Sequence, residues 1–326
     1  MDVAVTGASG HLGANLVREL LARGDRVRVL LRRDTRAVDG LEVRRVAGDV
    51  RDPESLHRAF DGVEVVYHMA GVISLDGGRG GLVEATNVGG TENVVRAARA
   101  RGVRRLVHAS SVHAFALLPL DTPLDESRPS CSSEAHATVY DRSKAAAEER
   151  VRGAVDDGLD AVVLNPTALV GPYDFAPSRT GKMFLDLYHR RLPSLVRGAF
   201  DWVDARDVAR AAIAAAERGR TGASYLVAGH HRTLPELARL ATEVTGVAAP
   251  RFTSPMWLAR LGAPFATRWG RWPGTEPLFT AESLRAVRLC PRIDDSRARR
   301  ELGHAPRPLA ETVRDVYSWF ERAGLL

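Results

Sequence analysis

The opening stretch Asp2-Val3-Ala4-Val5-Thr6 is an apolar strand pattern that runs straight into Thr6-Gly7-Ala8-Ser9-Gly10-His11-Leu12-Gly13, and a helical pattern follows over Leu12–Arg23. No other feature narrows the possible folds as far. Gly7 permits a tight turn, Gly10 lets the backbone approach a pyrophosphate, and Gly13 lets a helix pack closely on a strand. Ser9, His11 and Leu12 complete this candidate cofactor loop. The helix start offers free N–H groups and the positive end of a dipole to an anion. An ordinary glycine turn also accommodates three glycines, and it is the strand–loop–helix setting that selects dinucleotide binding.

The pattern continues in the same style. Candidate strands lie at Asp2–Thr6, Arg26–Leu31, Glu42–Ala47, Val63–His68, Arg105–Ala109, Ala161–Asn165 and Ser224–Ala228. Helical patterns separate them at Leu12–Arg23, Pro53–Phe60, Thr91–Arg101, Val139–Val155 and Asp207–Arg218. Strand–helix–strand at this spacing predicts an α/β fold with a doubly wound parallel (Rossmann) sheet. The 326 residues suffice for that domain and a second, smaller substrate-binding lobe. After Pro166 prolines and tryptophans punctuate the chain, among them Pro255, Pro264, Pro273, Pro277, Trp202, Trp257, Trp269 and Trp272. The expected division is 1–170 plus roughly 202–230 for the dinucleotide domain, and 171–201 with 231–326 for the substrate lobe. In the latter, Thr233 and Glu236 form a capping-box pattern before a helix at Leu234–Thr245, and Val313, Val316, Tyr317 and Phe320 share a stripe near the end. Gly77-Gly78-Arg79-Gly80-Gly81 is a candidate lid.

The second strand ends Val29-Leu30-Leu31-Arg32-Arg33. Leu31 stands about where a carboxylate would hold a ribose 2′-OH, and the guanidinium of Arg32 suits a 2′-phosphate instead. NADP is therefore the expected cofactor. NAD stays open, because Asp34 is within reach of a ribose and Arg32 could simply be a solvated arginine. The third strand closes with Gly48-Asp49-Val50, where a carboxylate can meet the adenine edge.

Composition removes other classes. No run approaches the ~18 apolar residues of a membrane span, and Met1 to Thr6 has no basic n-region or cleavage site, so a cytoplasmic location is expected. Cys131 and Cys290 are too few for a disulfide framework or a four-ligand zinc site, and no metal is expected. The net charge of +6 comes from arginines interleaved with 40 acidic residues, which argues against a nucleic-acid partner. Among 46 basic residues only Lys144 and Lys182 are lysines, so each invites a chemical explanation.

Lys144 has one. Tyr140-Asp141-Arg142-Ser143-Lys144 opens a helix, and residues four apart share a face. The ammonium should lower the Tyr140 pKa toward working pH, as a general acid for a carbonyl oxygen requires. The fifth strand ends in Ser110-Ser111, offering a hydroxyl to the same oxygen. A surface helix pair and a strand-end cap would explain these residues separately. Their order along the chain, after the glycine loop, joins them into one site.

With these motifs in place the chain resembles the extended short-chain dehydrogenase/reductases, the NAD-dependent epimerase/dehydratase family, nearest the dihydroflavonol-4-reductase-like branch. The resemblance covers essentially the whole chain. It rests on Thr6 to Gly13, Asp49-Val50, His68-Met69-Ala70-Gly71, Asn87 to Thr91, Ser110-Ser111, Tyr140 to Lys144, Asn165-Pro166-Thr167, Val170-Gly171-Pro172, Asp204 to Ala209 and Ser296 to Gly303. It implies Tyr140 as acid/base, Lys144 as its activator and ribose ligand, and Ser111 rather than Ser110 as carbonyl partner. Ala70 and Gly71 would line the cofactor, Pro166 and Thr167 would border the nicotinamide, and Asn87 would be structural. It also implies a homodimer through the helices near Thr91–Arg101 and Val139–Val155.

The favoured activity is NADPH-driven reduction of a ketone or aldehyde on a mainly apolar small molecule. The alternatives are a nucleotide-sugar epimerase with retained NAD and a non-catalytic dinucleotide sensor. Leu164-Asn165 departs from the Arg-aromatic-aromatic-Asn run usual in sugar-nucleotide members. His113, Tyr173, Phe175, Tyr188 and Trp202 are the candidate substrate contacts, although aromatics in a second lobe often serve only its core.

Overall fold

The computed structural model describes residues 1–74, 77–254 and 289–326. In chain order its strands are β1 (Asp2–Thr6), β2 (Arg26–Leu31), β3 (Arg44–Ala47), β4 (Val65–His68), β5 (Arg105–Ala109) and β6 (Ala161–Pro166), then β7 (Ala168–Val170), β8 (Leu195–Val196), β9 (Ala199–Asp204), β10 (Ser224–Val227), β11 (His230–Thr233) and β12 (Thr253–Ser254). The seven strands read from the sequence form one sheet in the order β10-β6-β5-β4-β1-β2-β3, with every pair parallel. The order reverses between β1 and β4. Ligands of open α/β sheets bind outside the carboxyl ends of the strands at such a point.

The strand period of two sorts the core. Val3, Val5 and Val29 meet the helices His11–Ala22 and Ala205–Arg218 through Leu16, Leu20, Val208 and Ala212. Ala4, Leu30 and Val66 face the other way, toward Leu56, Phe60, Val94 and Val151 of the helices Pro53–Phe60, Gly90–Ala100 and Val139–Asp156. A parallel sheet covered on both faces is buried on both, which is why its strands read as continuous apolar runs.

A further core gathers the later segments. Phe184, Leu187, Trp202, Leu237, Val313, Val316 and Phe320 pack together from the helices Arg179–Tyr188, Leu234–Thr245 and Leu309–Arg322 and from β9. β9 lies between β11 and β7 in a three-stranded sheet, and β8 pairs with β12. The capping box closes as expected: the Thr233 amide donates to Glu236 Oε2 (2.7 Å) and the Glu236 amide to Thr233 Oγ1 (3.3 Å). Arg307 ties this part to the helix after β9, its amide and guanidinium both donating to Asp207 at 2.8 Å. Trp257, Trp269, Trp272, Pro255, Pro264, Pro273 and Pro277 lie outside the described residues, as do positions 75 and 76 beside the glycine-rich loop. Among the described residues no helix is long and apolar enough to cross a membrane.

Candidate active site

The glycine loop leaves the end of β1 as a cradle that admits no side chain. Gly7 has φ +71°, and a Cβ there would come within 2.5 Å of the Ala70 amide nitrogen. A Cβ on Gly13 would fall 2.1 Å from the Gly7 carbonyl oxygen. Gly10 precedes the helix without a side-chain cap, so the first N–H groups stay available to an anion. Leu12 is buried and Ser9 partly so. His11 reaches away from the loop, its Nε2 lying 3.1 Å from the carbonyl oxygens of Gly171 and Pro172. Asn15 donates to the same Pro172 oxygen at 2.9 Å. The start of the cofactor helix is thereby fastened to the segment that follows β7.

At the end of β2, Leu31 is buried while Arg32 and Arg33 are exposed. Asp34 is taken up by Arg36 (2.7 Å) and Asp49 by Arg51 (2.8 Å). The Arg51 hydrogen bond, with the Arg32 charge adding to it, holds the Asp49 carboxyl below its usual range. Val50 is packed against Gly90, where a Cβ would meet its Cγ2 at 2.7 Å.

The chemistry-bearing side chains converge beyond β4, β5 and β6. Tyr140, Lys144 and Ser111 are all buried. Lys144 Nζ donates to the Ala109 carbonyl oxygen at the end of β5 (2.9 Å), leaving two of its three protons for other acceptors. A Cβ on Gly71 would sit 3.3 Å from that Nζ, so the bare Gly71 backbone keeps the ammonium open toward the groove. Burial pulls the Lys144 pKa down to about 8, partly offset by Glu148. Tyr140 departs from the sequence expectation. Its phenol is pushed up to about 12, because burial outweighs the hydrogen bond with Ser111 that favours the phenolate.

Asn87 ties the segment after β4 to the helix Val139–Asp156. Its Oδ1 accepts from the Val72 amide (2.7 Å), and its Nδ2 donates to the Val72 carbonyl (3.0 Å) and to Ser143 Oγ (2.9 Å). Val72, next to Gly71, is thus held by a side chain 15 residues further along the chain. Thr167 Oγ1 donates to Asp201 Oδ1 (2.7 Å), and Pro166 ends β6.

Three residues of this region were missed in the sequence. Glu148 is buried one turn beyond Lys144 and pairs with Arg152 (2.8 Å). Asn165 donates from Nδ2 to Glu148 and to the Ser111 carbonyl oxygen (3.0 Å). Asp141 sits 3.1 Å from His113 Nδ1 and closes the helix N-terminus with Thr138. The i,i+4 repeat Tyr140, Lys144, Glu148 was the available signal for the first.

Of the candidate substrate contacts, His113 lies beside Tyr140, ring centroids 5.8 Å apart. The ring contacts of the other four run elsewhere among the described residues. Tyr173 stacks with Phe175 and carries Arg18 over its face at 4.2 Å, while Phe175 meets Trp319. Tyr188 meets Tyr317. Trp202 is 3% exposed and donates its indole N–H to the Arg232 carbonyl.

The model of the "NAD dependent epimerase/dehydratase family" matches residues 3–228. The chain is 41% identical over 341 residues to "Sterol demethylase protein B" of Methylococcus capsulatus, covering 100% of both. It is 33% identical to a "4-hydroxy-2-methyl-3-oxo-4-farnesyl-3,4-dihydroquinoline-1-oxide ketoreductase" of Stigmatella aurantiaca, covering 94% of this chain and 92% of that one. The crystal structure of gox2253 superposes with a TM-score of 0.86 at 33% identity, covering 99% of each chain. The glycine cradle, the parallel sheet and the Ser111, Tyr140 and Lys144 cluster now have their context: this chain belongs to the NAD-dependent epimerase/dehydratase family. It is an NAD(P)-dependent enzyme of the extended short-chain dehydrogenase/reductase type, with dihydroflavonol-4-reductase-like proteins among its relatives.

Proposed function

We propose that the chain is an NADP-dependent reductase of ketones or aldehydes carried on mainly apolar small molecules. The observation that carries this reading is a buried Tyr140 phenol, held protonated at neutral pH, next to Ser111 at the C-terminal edge of the sheet. A phenol that keeps its proton is the donor form that a carbonyl oxygen needs as it becomes an alkoxide. The Ser111 hydroxyl shares that oxygen. Lys144 keeps its charge below about pH 8 and presents its two free donors toward ribose hydroxyls. The glycine loop holds the pyrophosphate, Ala70 and Gly71 line the groove, and Pro166 and Thr167 border the ring. A reduced nicotinamide bound there supplies the hydride.

Arg32 and Arg33, exposed beyond a buried Leu31, support the 2′-phosphate. A mainly apolar substrate with a few polar handles is supported by a cavity of about 150 Å³ lined by Phe115, Leu117, Leu118 and Leu289 together with His113, Glu134, His136 and Asp141. The names of the sterol-related and farnesyl-ring relatives point the same way. Within this reading residues 171–201 and 231–326 form the substrate lobe, and the enzyme is a cytoplasmic homodimer assembled through the helices Gly90–Ala100 and Val139–Asp156. A panel of hydrophobic ketones and aldehydes with NADPH and NADH, run beside nucleotide sugars without added cofactor, tests it. NADPH oxidation on the carbonyl compounds is expected. Epimerisation of a nucleotide sugar without any such oxidation overturns it.

A further inference from the structure

The carbonyl oxygen is accounted for by Ser111 and Tyr140, but the side chain beside them is not. His113 follows Ser111 by two residues, and its amide donates to Ser111 Oγ at 3.2 Å. Its position is therefore tied to that of the serine. The imidazole stands edge-on to the Tyr140 ring and lines a cavity in which Phe115, Leu117, Leu118 and Leu289 face Glu134, His136 and Asp141.

Asp141 fixes which nitrogen is free. Its Oδ1 lies 3.1 Å from His113 Nδ1, an off-line approach governed by charge more than by hydrogen-bond direction. The carboxylate cannot swing away easily, because its Oδ2 also accepts the Thr138 amide at 2.8 Å in the capping box of the Tyr140 helix. Contact with His113 and Thr138 outweighs burial and holds the Asp141 carboxyl below its usual range. An ionised carboxylate at Nδ1 orients the ring and leaves Nε2, which has no partner among the described residues, for a ligand.

We propose that the His113–Asp141 pair is a specificity site for a second oxygen of the substrate. Resting on the reductase reading, it selects carbonyl compounds that bear a hydroxyl group one or two carbons from the reacting carbon, whose O–H donates to Nε2 while the Nδ1 proton faces Asp141. The proximity of His113 to both Ser111 and Tyr140 sets that short spacing. An Nε2 left without such a hydroxyl when a ligand displaces water is an unsatisfied acceptor, so a plain ketone is discriminated against.

The test compares an aliphatic methyl ketone with a hydroxymethyl ketone of equal chain length, on the cofactor-loaded wild type, His113→Leu and His113→Gln. Two readouts are taken: the ratio of kcat/KM values, and the ratio of dissociation constants by calorimetry on the NADP-loaded protein, which needs no turnover. Wild type should favour the hydroxy ketone, and His113→Leu should reduce that preference about tenfold or more. His113→Gln, which keeps an acceptor, should restore part of it. Equal losses on both ligands would mark His113 as merely structural and overturn the proposal, as would a wild type that binds the two alike. Absence of turnover with a binding preference intact would instead count against the reductase reading and leave the recognition role standing.

Discussion

On the proposed function Tyr140 supplies the proton, and burial, which raises its phenol to about 12, keeps that proton in place over the neutral range. Replacing it with Phe removes the proton and little else, since Ser111, Lys144 and the glycine cradle are untouched. Tyr140→Phe should slow turnover by about 10²–10⁴-fold while the cofactor dissociation constant stays near wild type. Retention of more than a tenth of the rate, measured as NADPH oxidation, would assign the proton to another group. Arg32→Glu tests a second residue. Loss of a charge-assisted contact to a 2′-phosphate should weaken NADPH binding by roughly ten- to a hundredfold and leave NADH almost unaffected. Titration of both cofactors against both proteins checks this, and wild-type protein that binds NADH as well as NADPH would remove the role given to Arg32. Tyr140 and Lys144 were legible from their spacing, because residues four apart on a helix must meet. The direction of the Tyr140 shift was not, because it is set by how completely the fold buries the phenol.

The helix Val139–Asp156 organises the site at the next scale. Thr138 and Asp141 lock its first turn, and then Tyr140, Lys144 and Glu148 descend one face at intervals of four. Glu148 meets Arg152 and Asn165, and Asn165 in turn holds the Ser111 carbonyl. The carboxylate therefore steadies the serine strand end and raises the pKa of Lys144 against the pull of burial. Glu148→Gln keeps the shape and an acceptor but removes the charge. The Lys144 pKa should then fall further below about 8, and the alkaline limb of the kcat/KM profile should move to lower pH, because the ammonium loses its proton earlier as pH rises. An unchanged limb with lowered activity would reduce Glu148 to packing. Elements of the sheet were readable for a simple reason: strands buried on both faces are continuous apolar runs, and the helices between them carry one apolar stripe. β7 and β9 were not readable. β7 has three residues and follows Pro166-Thr167 directly, while β9 mixes Phe200, Trp202 and Val203 with Asp201 and Asp204, whose carboxylates accept hydrogen bonds from Thr167, Gly229 and Arg206 that sequence does not display.

Across the molecule, the cofactor helix and the segments after β7 are fastened to each other. His11 and Asn15 hold Gly171 and Pro172, Arg18 covers Tyr173, and Arg307 reaches back to Asp207. A dinucleotide seated on the glycine loop therefore stabilises a surface already tied to the second core, and its binding should register as global stability. A ligand bound only by the native state adds RT ln(1 + [L]/Kd), about 2.7 kcal/mol at a hundredfold excess over Kd. For a chain of this size each kcal/mol is worth roughly 2 °C or more in Tm. NADPH at that excess should raise Tm by about 5 °C, and NADH at the same concentration by clearly less if Arg32 reads the 2′-phosphate. In Arg32→Glu the two shifts should converge, whereas in Tyr140→Phe the NADPH shift should survive intact. Thermal unfolding followed by intrinsic tryptophan fluorescence, with each cofactor across a concentration series, measures all three proteins without any substrate. Equal shifts for NADPH and NADH on the wild type would return the cofactor assignment to NAD, and loss of the shift in Tyr140→Phe would mean that the phenol supports the cofactor pocket as well as the proton transfer.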